Sequence, residues 1–497
     1  MTSLRLARAK SWLYAQLKLP RPPGFFSPRW YLEQYPDVAH AGQHAWAHFH
    51  LHGRQEGRFA TEDHVALWFD EAVFERVHWA YLNDRARLQP LDRDYLVWLI
   101  ARWYAMHQRW AEVLEILEDA DFERDRGKQT PFCHLPALLQ ADALLRLGRT
   151  AASDQRLQWL ESAYPDCADV FLLRANWLRA AADEASDHAA WLAHMNAWYA
   201  RHDLLPLQCP EGSRLSLDTL SAAAGPAIDG PLVSVLMAAY NAEHTLPTAL
   251  DSLLAQTWAN LDIIVVDDVS DDQTISVVES YAALDTRVRM LRLEQPGGPY
   301  AARNHALNAA RGQFITVHDA DDWSHPQKIQ RQMALLQQRP ELKGCFSNWV
   351  RTTPELTFGG WNTPPSWLGW VHRNTSSLMC RREVFDALGY WDELRCSCDA
   401  EFVQRIQAAW GVDAVDYAQP LASLAFGRSD SGSLTRLPET HLLTKLRGLR
   451  LDYHSAHARW HAAAQSIEDL YMPQSPKIRP FPVAEAMLPP RKSNRGH

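Results

Sequence analysis

Apolar residues follow two different rhythms along this chain. From about 65 to 205, Leu, Ala and Trp recur three and four residues apart with almost no two-residue alternation, which predicts an all-helical region. Segments 93–108 and 109–120, and then 136–148 and 149–165, read as helix-turn-helix pairs, with Gly148 closing one helix and Pro165 following another. Small residues, Gly and Pro in 206–230 mark a linker. Beyond it the rhythm changes. Residues 233–238 form an unbroken apolar run, as a parallel strand covered on both faces requires. Leu246, Leu250, Leu253 and Leu254 then share one helix face. A second strand at 261–266 ends on Asp267 and Asp268, and a third at 288–293 leads to Gly297 and Gly298. This alternation predicts an open, mostly parallel α/β sheet, whose ligands bind beyond the carboxyl ends of its strands.

Composition narrows the function. The chain has 497 residues, enough for roughly two to four domains. A net charge of −9 excludes a general nucleic-acid binder, which needs clustered cations for phosphate contacts. Seven cysteines, at 133, 167, 209, 345, 380, 396 and 398, give no disulfide framework and point to a reducing compartment. Cys396 and Cys398 lack a second ligand pair at zinc spacing. No stretch reaches the length of a membrane-spanning helix, and the first residues lack the apolar core of a signal peptide, so the expected location is the cytoplasm. Peripheral contact with the inner membrane stays open: Arg5, Arg8, Lys10 and Lys18 lie among Leu and Trp in the opening stretch, as in an interfacial helix or one that packs on its own domain.

The sharpest chemistry lies in GQFITVHDADDW, 312–323. Asp319 and Asp321 follow an apolar run and are one residue apart, so in extended backbone both carboxylates point the same way. One hard divalent cation, Mn or Mg, fits such a pair and bridges readily to substrate phosphates. The plainer reading is a set of turn carboxylates before Trp323.

The order VSVLMAAYN, LDIIVVDDVSDDQT, GGPYAARNHALNAARG, HDADDW and CDAEFVQRI resembles the inverting family-two glycosyltransferases of the GT-A fold, over roughly 231–436. The resemblance implies a metal-dependent transfer of a sugar from a nucleotide-sugar donor, a UDP-sugar in preference, to a glycan or glycolipid acceptor of the bacterial surface. It implies that Ala239, Tyr240 and Asn241 hold base and ribose, and that one of Asp267 and Asp268, Asp268 in preference, accepts from the base. Arg303 would contact the nucleotide, Asp319 would reach the ribose or a metal-bound water, and Asp321 would ligate the metal. Asp399 would be the general base, in a helix first turn where the dipole favours its ionised form. Many relatives place Glu-Asp here; Cys398 replaces that Glu, and Glu401 either substitutes for it or caps the helix. The loop 427–436 supplies no His as a third ligand, leaving Arg428, Ser433, Thr435 or water.

Residues 25–60 resemble a short helical module found beside such transferases, with an aromatic core and with His40, His44 and His48 at helical spacing; these are either one imidazole face or ordinary surface and core residues. The helical pairs are loosely similar to tetratricopeptide repeats, without their regular spacing, and either offer a surface to a protein partner or brace the next domain. Tryptophans 361, 367 and 370 are either an acceptor wall or core. The expected organisation is a module at 1–64, a helical region at 65–205, a linker at 206–230, the transferase domain at 231–436 and a C-terminal helix and tail at 437–497. Two other readings stand beside it. An inactive GT-A domain on a helical scaffold is kept open by Cys398 and the missing His; a sugar nucleotidyltransferase would need a Gly-rich basic loop after strand one, where AAYNAEHT has none.

Overall fold

A computed structural model of the chain describes residues 22–54, 56, 58–119, 134–181, 188–361, 369–418, 422–429 and 441–489. The opening basic stretch, Trp367, and Ser433 and Thr435 lie outside these residues. Two compact units emerge, Met1–Pro165 with Trp361–Gly369, and Asp166–Gly360 with Trp370–His497.

The first unit is helical. Short helices Pro28–Gln34, Pro36–His40 and Ala45–His48 gather around Phe26, Tyr31, Trp46 and Phe49, whose rings pack at centroid distances of 5.1–6.0 Å. The three histidines do not share a helix face. Gly42, at φ +64°, breaks the chain between two helices, His44 caps the second, and His48 is buried with its Nδ1 2.9 Å from the Tyr31 hydroxyl. The expected pairs appear as Pro90–Met106 with Trp110–Leu117, and Leu135–Arg146 with Thr150–Ala163. Arg102 lies buried against the rings of Trp98 and Trp361, and the Trp361 indole donates to Asp142 at 2.8 Å.

The second unit opens with helices Ala168–Ala181 and His188–Arg201. The helical rhythm of 65–205 is thus divided between units, because periodicity marks a buried face without saying which core it faces. Asn176 exchanges two hydrogen bonds with the Phe358 backbone, at 2.7 and 2.8 Å, and Tyr199 donates to the Ser423 carbonyl at 3.1 Å. After a two-stranded ribbon, β1 (Leu207–Gln208) and β2 (Ser221–Ala222), come β3 (Val233–Ala239), β4 (Leu261–Asp267), β5 (Val288–Arg292), helix α1 (Gly298–Ala309), β6 (Phe314–Val317) and β7 (Trp323–Ser324). Helix α2 (Lys328–Gln338), β8 (Gly344–Phe346), β9 (Asn348–Thr352), β10 (His372–Arg373), β11 (Met379–Arg381), helix α3 (Cys398–Trp410), β12 (Val415–Tyr417), β13 (Ser423–Arg428) and helix α4 (Leu449–Ala463) follow.

The main sheet has the order β12-β8-β11-β6-β3-β4-β5, parallel except for β11. Both faces are apolar. Val233, Val235 and Met237 of β3 enter the core that holds Leu250, Ile329 and Met333, whereas Leu236 enters the core built by Ala302, Ala306 and Phe402. A smaller sheet, β10-β9-β13-β7, lies beside the acidic loop that joins β6 to β7. Trp370 is fully buried, so the two described tryptophans, Trp361 and Trp370, are core residues. The segment after α4 also packs: Phe481 and Met487 are buried, and Arg479 pairs with Asp392.

Gly312, just before β6, has no room for a side chain. A Cβ there would lie 2.4 Å from the Ser234 nitrogen and 2.8 Å from the Leu232 carbonyl oxygen, both backbone atoms. Gly312→Ala is expected to cost about 1–3 kcal/mol by forcing β3 and β6 apart, read as a lowered melting temperature.

Candidate active site

Strand ends and one helix build the site. At the end of β3, Ala239 is buried, while Tyr240 and Asn241 are exposed. Asn241 adopts φ 47° and its side-chain oxygen accepts from Asp271 N at 3.0 Å, tying the β3 turn to the β4 turn. In the β4 turn Val269 has φ 62°, a strained value for a β-branched residue. Ser397, just before α3, has φ 70°. Left-handed non-glycine residues therefore stand at three of the predicted motifs, as strain often does at functional sites.

The two acids that close β4 have separate surroundings. Asp267 is fully buried, accepts from the Ser270 N–H at 3.2 and 3.3 Å and lies 3.3 Å from Arg292. Asp268 accepts from Gly297 N at 2.7 Å and Gly298 N at 2.8 Å, so it holds the first residues of α1. Burial raises its carboxyl above the ordinary value, and these two N–H groups oppose that shift. Asp272 accepts from Thr274 N at 2.9 Å and Glu243 N at 3.1 Å, acting as a cap.

Helix α1 links the remaining motifs. Arg303 is 5% exposed and donates to Asp319 at 2.5 Å. Burial alone would raise the Asp319 carboxyl, but the Arg303 charge, then a hydrogen bond from the Ser376 side chain, with Arg351 among the smaller contributions, bring it below its ordinary value. One turn earlier, Tyr300 lies under the Arg303 guanidinium, 5.2 Å from ring centroid to charge centre, and its hydroxyl donates to Asp399 at 3.1 Å. Residues 300 and 303 share a helix face, so a single helix contacts both acidic motifs. Asn304 brackets the Trp391 backbone at 2.9 and 3.1 Å on the approach to α3. Asp268, through α1, thus reaches both Asp319 and Asp399.

The acidic loop is braced from the smaller sheet. Asp322 is buried and accepts from Arg428 N at 3.0 Å, and the Arg428 Nε donates to the Asp321 carbonyl at 3.2 Å. Burial first, then the Asp321 and Asp319 charges, push the Asp322 carboxyl well above its ordinary value. The Arg428 side chain pairs with Asp218 in the linker, so its position is that of a brace, not of a third metal ligand. In α3, Glu401 is fully buried in an ion pair with Arg405 at 2.8 Å, which gives it a structural place distinct from Asp399.

Asp319 and Asp321 offer the hard oxygen donors that a divalent cation such as Mn or Mg takes, beside an Asp322 carboxyl raised by burial and then by their charges. Asp319 and Asp321 are the residues that would hold it. Tyr300 does not stand out in the sequence, although its three-residue offset from Arg303 is a readable signal.

Residues 234–382 match the family described as Glycosyl transferase family 2. Over that stretch, under a third of its length, the chain is similar to the family 2 glycosyltransferases. The E. coli UDP-Glc:alpha-D-GlcNAc-diphosphoundecaprenol beta-1,3-glucosyltransferase WfgD is 39% identical over 109 residues, 22% of this chain and 42% of that one. The succinoglycan biosynthesis protein ExoO of Rhizobium meliloti is 43% identical over 107 residues, 21% of this chain and 30% of that one. The match thus spans less than half of either relative. A crystal structure of S. aureus TarS 1-349 in complex with UDP-GlcNAc aligns with a TM-score of 0.34 and 21% identity, over 41% of this chain and 60% of that one. Among the described residues no helix is long and apolar enough to cross a membrane.

Proposed function

We propose that the chain transfers a sugar, with inversion, from a nucleotide diphosphate sugar to a hydroxyl of a bacterial surface glycan or glycolipid. The carrying observation is that one helix, α1, contacts Asp319 through Arg303 and Asp399 through Tyr300, joining a donor-side acid to an acceptor-side acid. Asp399 takes the proton of the acceptor hydroxyl, which attacks the anomeric carbon opposite the leaving diphosphate. Tyr240 and Asn241, exposed at the end of β3, line the base and ribose side, and Asp267 and Asp268 shape the turn beneath it. A divalent cation held by Asp321 with Asp319 would supply charge stabilisation to the departing diphosphate. A UDP-sugar is the donor we favour; WfgD, by its name, uses UDP-Glc.

Calorimetric titration with UDP and GDP, with and without Mn2+, tests the reading. Wild type is expected to bind UDP in a metal-dependent manner, and Asp321→Ala to lose roughly a hundredfold in affinity, the scale of a missing metal contribution. Well-folded protein that binds neither nucleotide under any condition would overturn the proposal.

A further inference from the structure

Three consecutive residues just before α3 are held by the last part of the second unit. Arg395 N donates to the Met487 carbonyl at 2.9 Å, the Cys396 Sγ lies 3.9 Å from the Met487 Sδ with both side chains buried, and the Ser397 Oγ accepts from Arg450 Nη1 at 2.7 Å. The grip continues upstream. Tyr390 N donates to the Met472 carbonyl and Met472 N to the Leu388 carbonyl, both at 2.9 Å, and Asp392 pairs with Arg479. Helix α4 and residues 464–488 thus form a strap along 388–397, the stretch that leads to Asp399.

Ser397 is where the strap acts on the site. It precedes α3 at φ 70° and ψ 0°, left-handed values that a non-glycine residue holds only where its surroundings impose them. A serine before a helix ordinarily turns its hydroxyl to an N–H of the first turn. Here the hydroxyl makes no such bond and meets Arg450 instead. Arg450, in the first turn of α4, is 7% exposed, so its guanidinium is packed in place. A glycine would take this conformation freely, but would offer no oxygen to Arg450. Asp399 follows two residues later, so the direction of its carboxylate depends on the angle at which this turn releases α3. Strap and turn both lie beyond residues 234–382, the stretch that matches the family.

We propose that the strap is the positioning element for Asp399, with Arg450 as its positioning residue, fixing the left-handed turn at Ser397 so that the carboxylate meets the acceptor hydroxyl. With the Tyr300 hydroxyl on the other hand, the acid is set from two helices, α1 and α4. The inference rests on the reading of Asp399 as the general base for its kinetic consequence; the grip on residues 395–397 stands without it.

The test compares Arg450→Met, Ser397→Ala, Asp399→Asn and the double variant Arg450→Met/Asp399→Asn in the full chain. It reads UDP release from UDP-glucose with Mn2+ and water as the acceptor, calorimetric UDP binding, and amide hydrogen exchange over 395–401. Arg450→Met is expected to lower the turnover rate roughly 10–100-fold, the scale of a misplaced catalytic group, with UDP affinity within about twofold of wild type. In the Asp399→Asn background the same change should cost less than about twofold, because a residue that acts through another adds nothing once that one is gone. The amides of 395–401 should exchange faster. Ser397→Ala, which removes only the hydroxyl, should show the same pattern and takes the place of Arg450→Met if that variant does not fold. A wild-type rate in either variant, an equal loss in the Asp399→Asn background, or a joint loss of rate and UDP affinity would make Arg450 merely structural and overturn the inference. If Asp399→Asn keeps the full rate, the base reading fails, and if wild type releases no UDP, the rate says nothing of the strap. In both cases the exchange decides: faster exchange at 395–401 in Arg450→Met supports the positioning of Asp399 by the strap, and unchanged exchange overturns it.

Discussion

Asp399→Asn is expected to lower the transfer rate roughly 10²–10⁴-fold, the contribution of a positioned general base, while leaving nucleotide affinity within about twofold. The expected split follows from where Asp399 stands. It lies in the first turn of α3, with Ala400 N donating to its Oδ1 at 2.8 Å and the Tyr300 hydroxyl donating to the same oxygen at 3.1 Å. Those contacts orient the carboxyl group and use up one oxygen, leaving Oδ2 for an acceptor hydroxyl. The asparagine variant preserves size and most of these contacts but cannot take a proton. Release of nucleoside diphosphate in the presence of acceptor, beside calorimetric binding of UDP, separates the two quantities. A variant that keeps the full rate would place the base elsewhere; one that loses rate and nucleotide affinity together would make Asp399 a donor-binding group.

Much of this site is legible in the sequence because it is local. The apolar runs that become β3 and β4 are continuous, and the acids after them sit where a parallel sheet places its ligands, so β4 differs from the expected 261–266 only by including Asp267. The spacing of Leu246, Leu250, Leu253 and Leu254 gives the helix Leu246–Leu254. What periodicity cannot carry is partnership between distant residues. Nothing in the sequence says that Asp268 spends its oxygens on Gly297 and Gly298, that Arg428 turns to Asp218, or that Tyr300 reaches Asp399 across 99 positions. Arg450 is hidden for a related reason. An arginine opening an amphipathic helix reads as solvated, and only the packing of α4 against the turn before α3 brings it to Ser397.

Arg405→Met is expected to destabilise the second unit by about 3–5 kcal/mol, because it strands a fully buried carboxylate. Arg405 donates to both oxygens of Glu401, at 2.9 and 2.8 Å, and also to the carbonyls of Leu388 and Tyr390, at 2.7 and 2.8 Å. Both side chains are 0% exposed, so water cannot replace the lost partner. Burial alone would raise the Glu401 carboxyl, but Arg405 and then His461, 3.0 Å away, together bring it below its ordinary value of 4.5. Because the folded value is the lower one, this group contributes stability that is present above pH 4.5 and lost as pH falls through the folded value. Wild type should therefore lose stability in acid over that window, and Arg405→Met should lose less there, having already forfeited the pair. A double variant, Arg405→Met/Glu401→Leu, removes both charges and should recover most of the deficit, since an apolar pair of similar volume often matches a buried ion pair. Thermal melting of wild type and the two variants from pH 3 to pH 7 reads all of this, with the single Arg405 variant roughly 10 °C below wild type at neutral pH. If single and double variants melt together, the cost lies in the backbone contacts to Leu388 and Tyr390 rather than in the stranded charge, and α3 is held in place by those carbonyls.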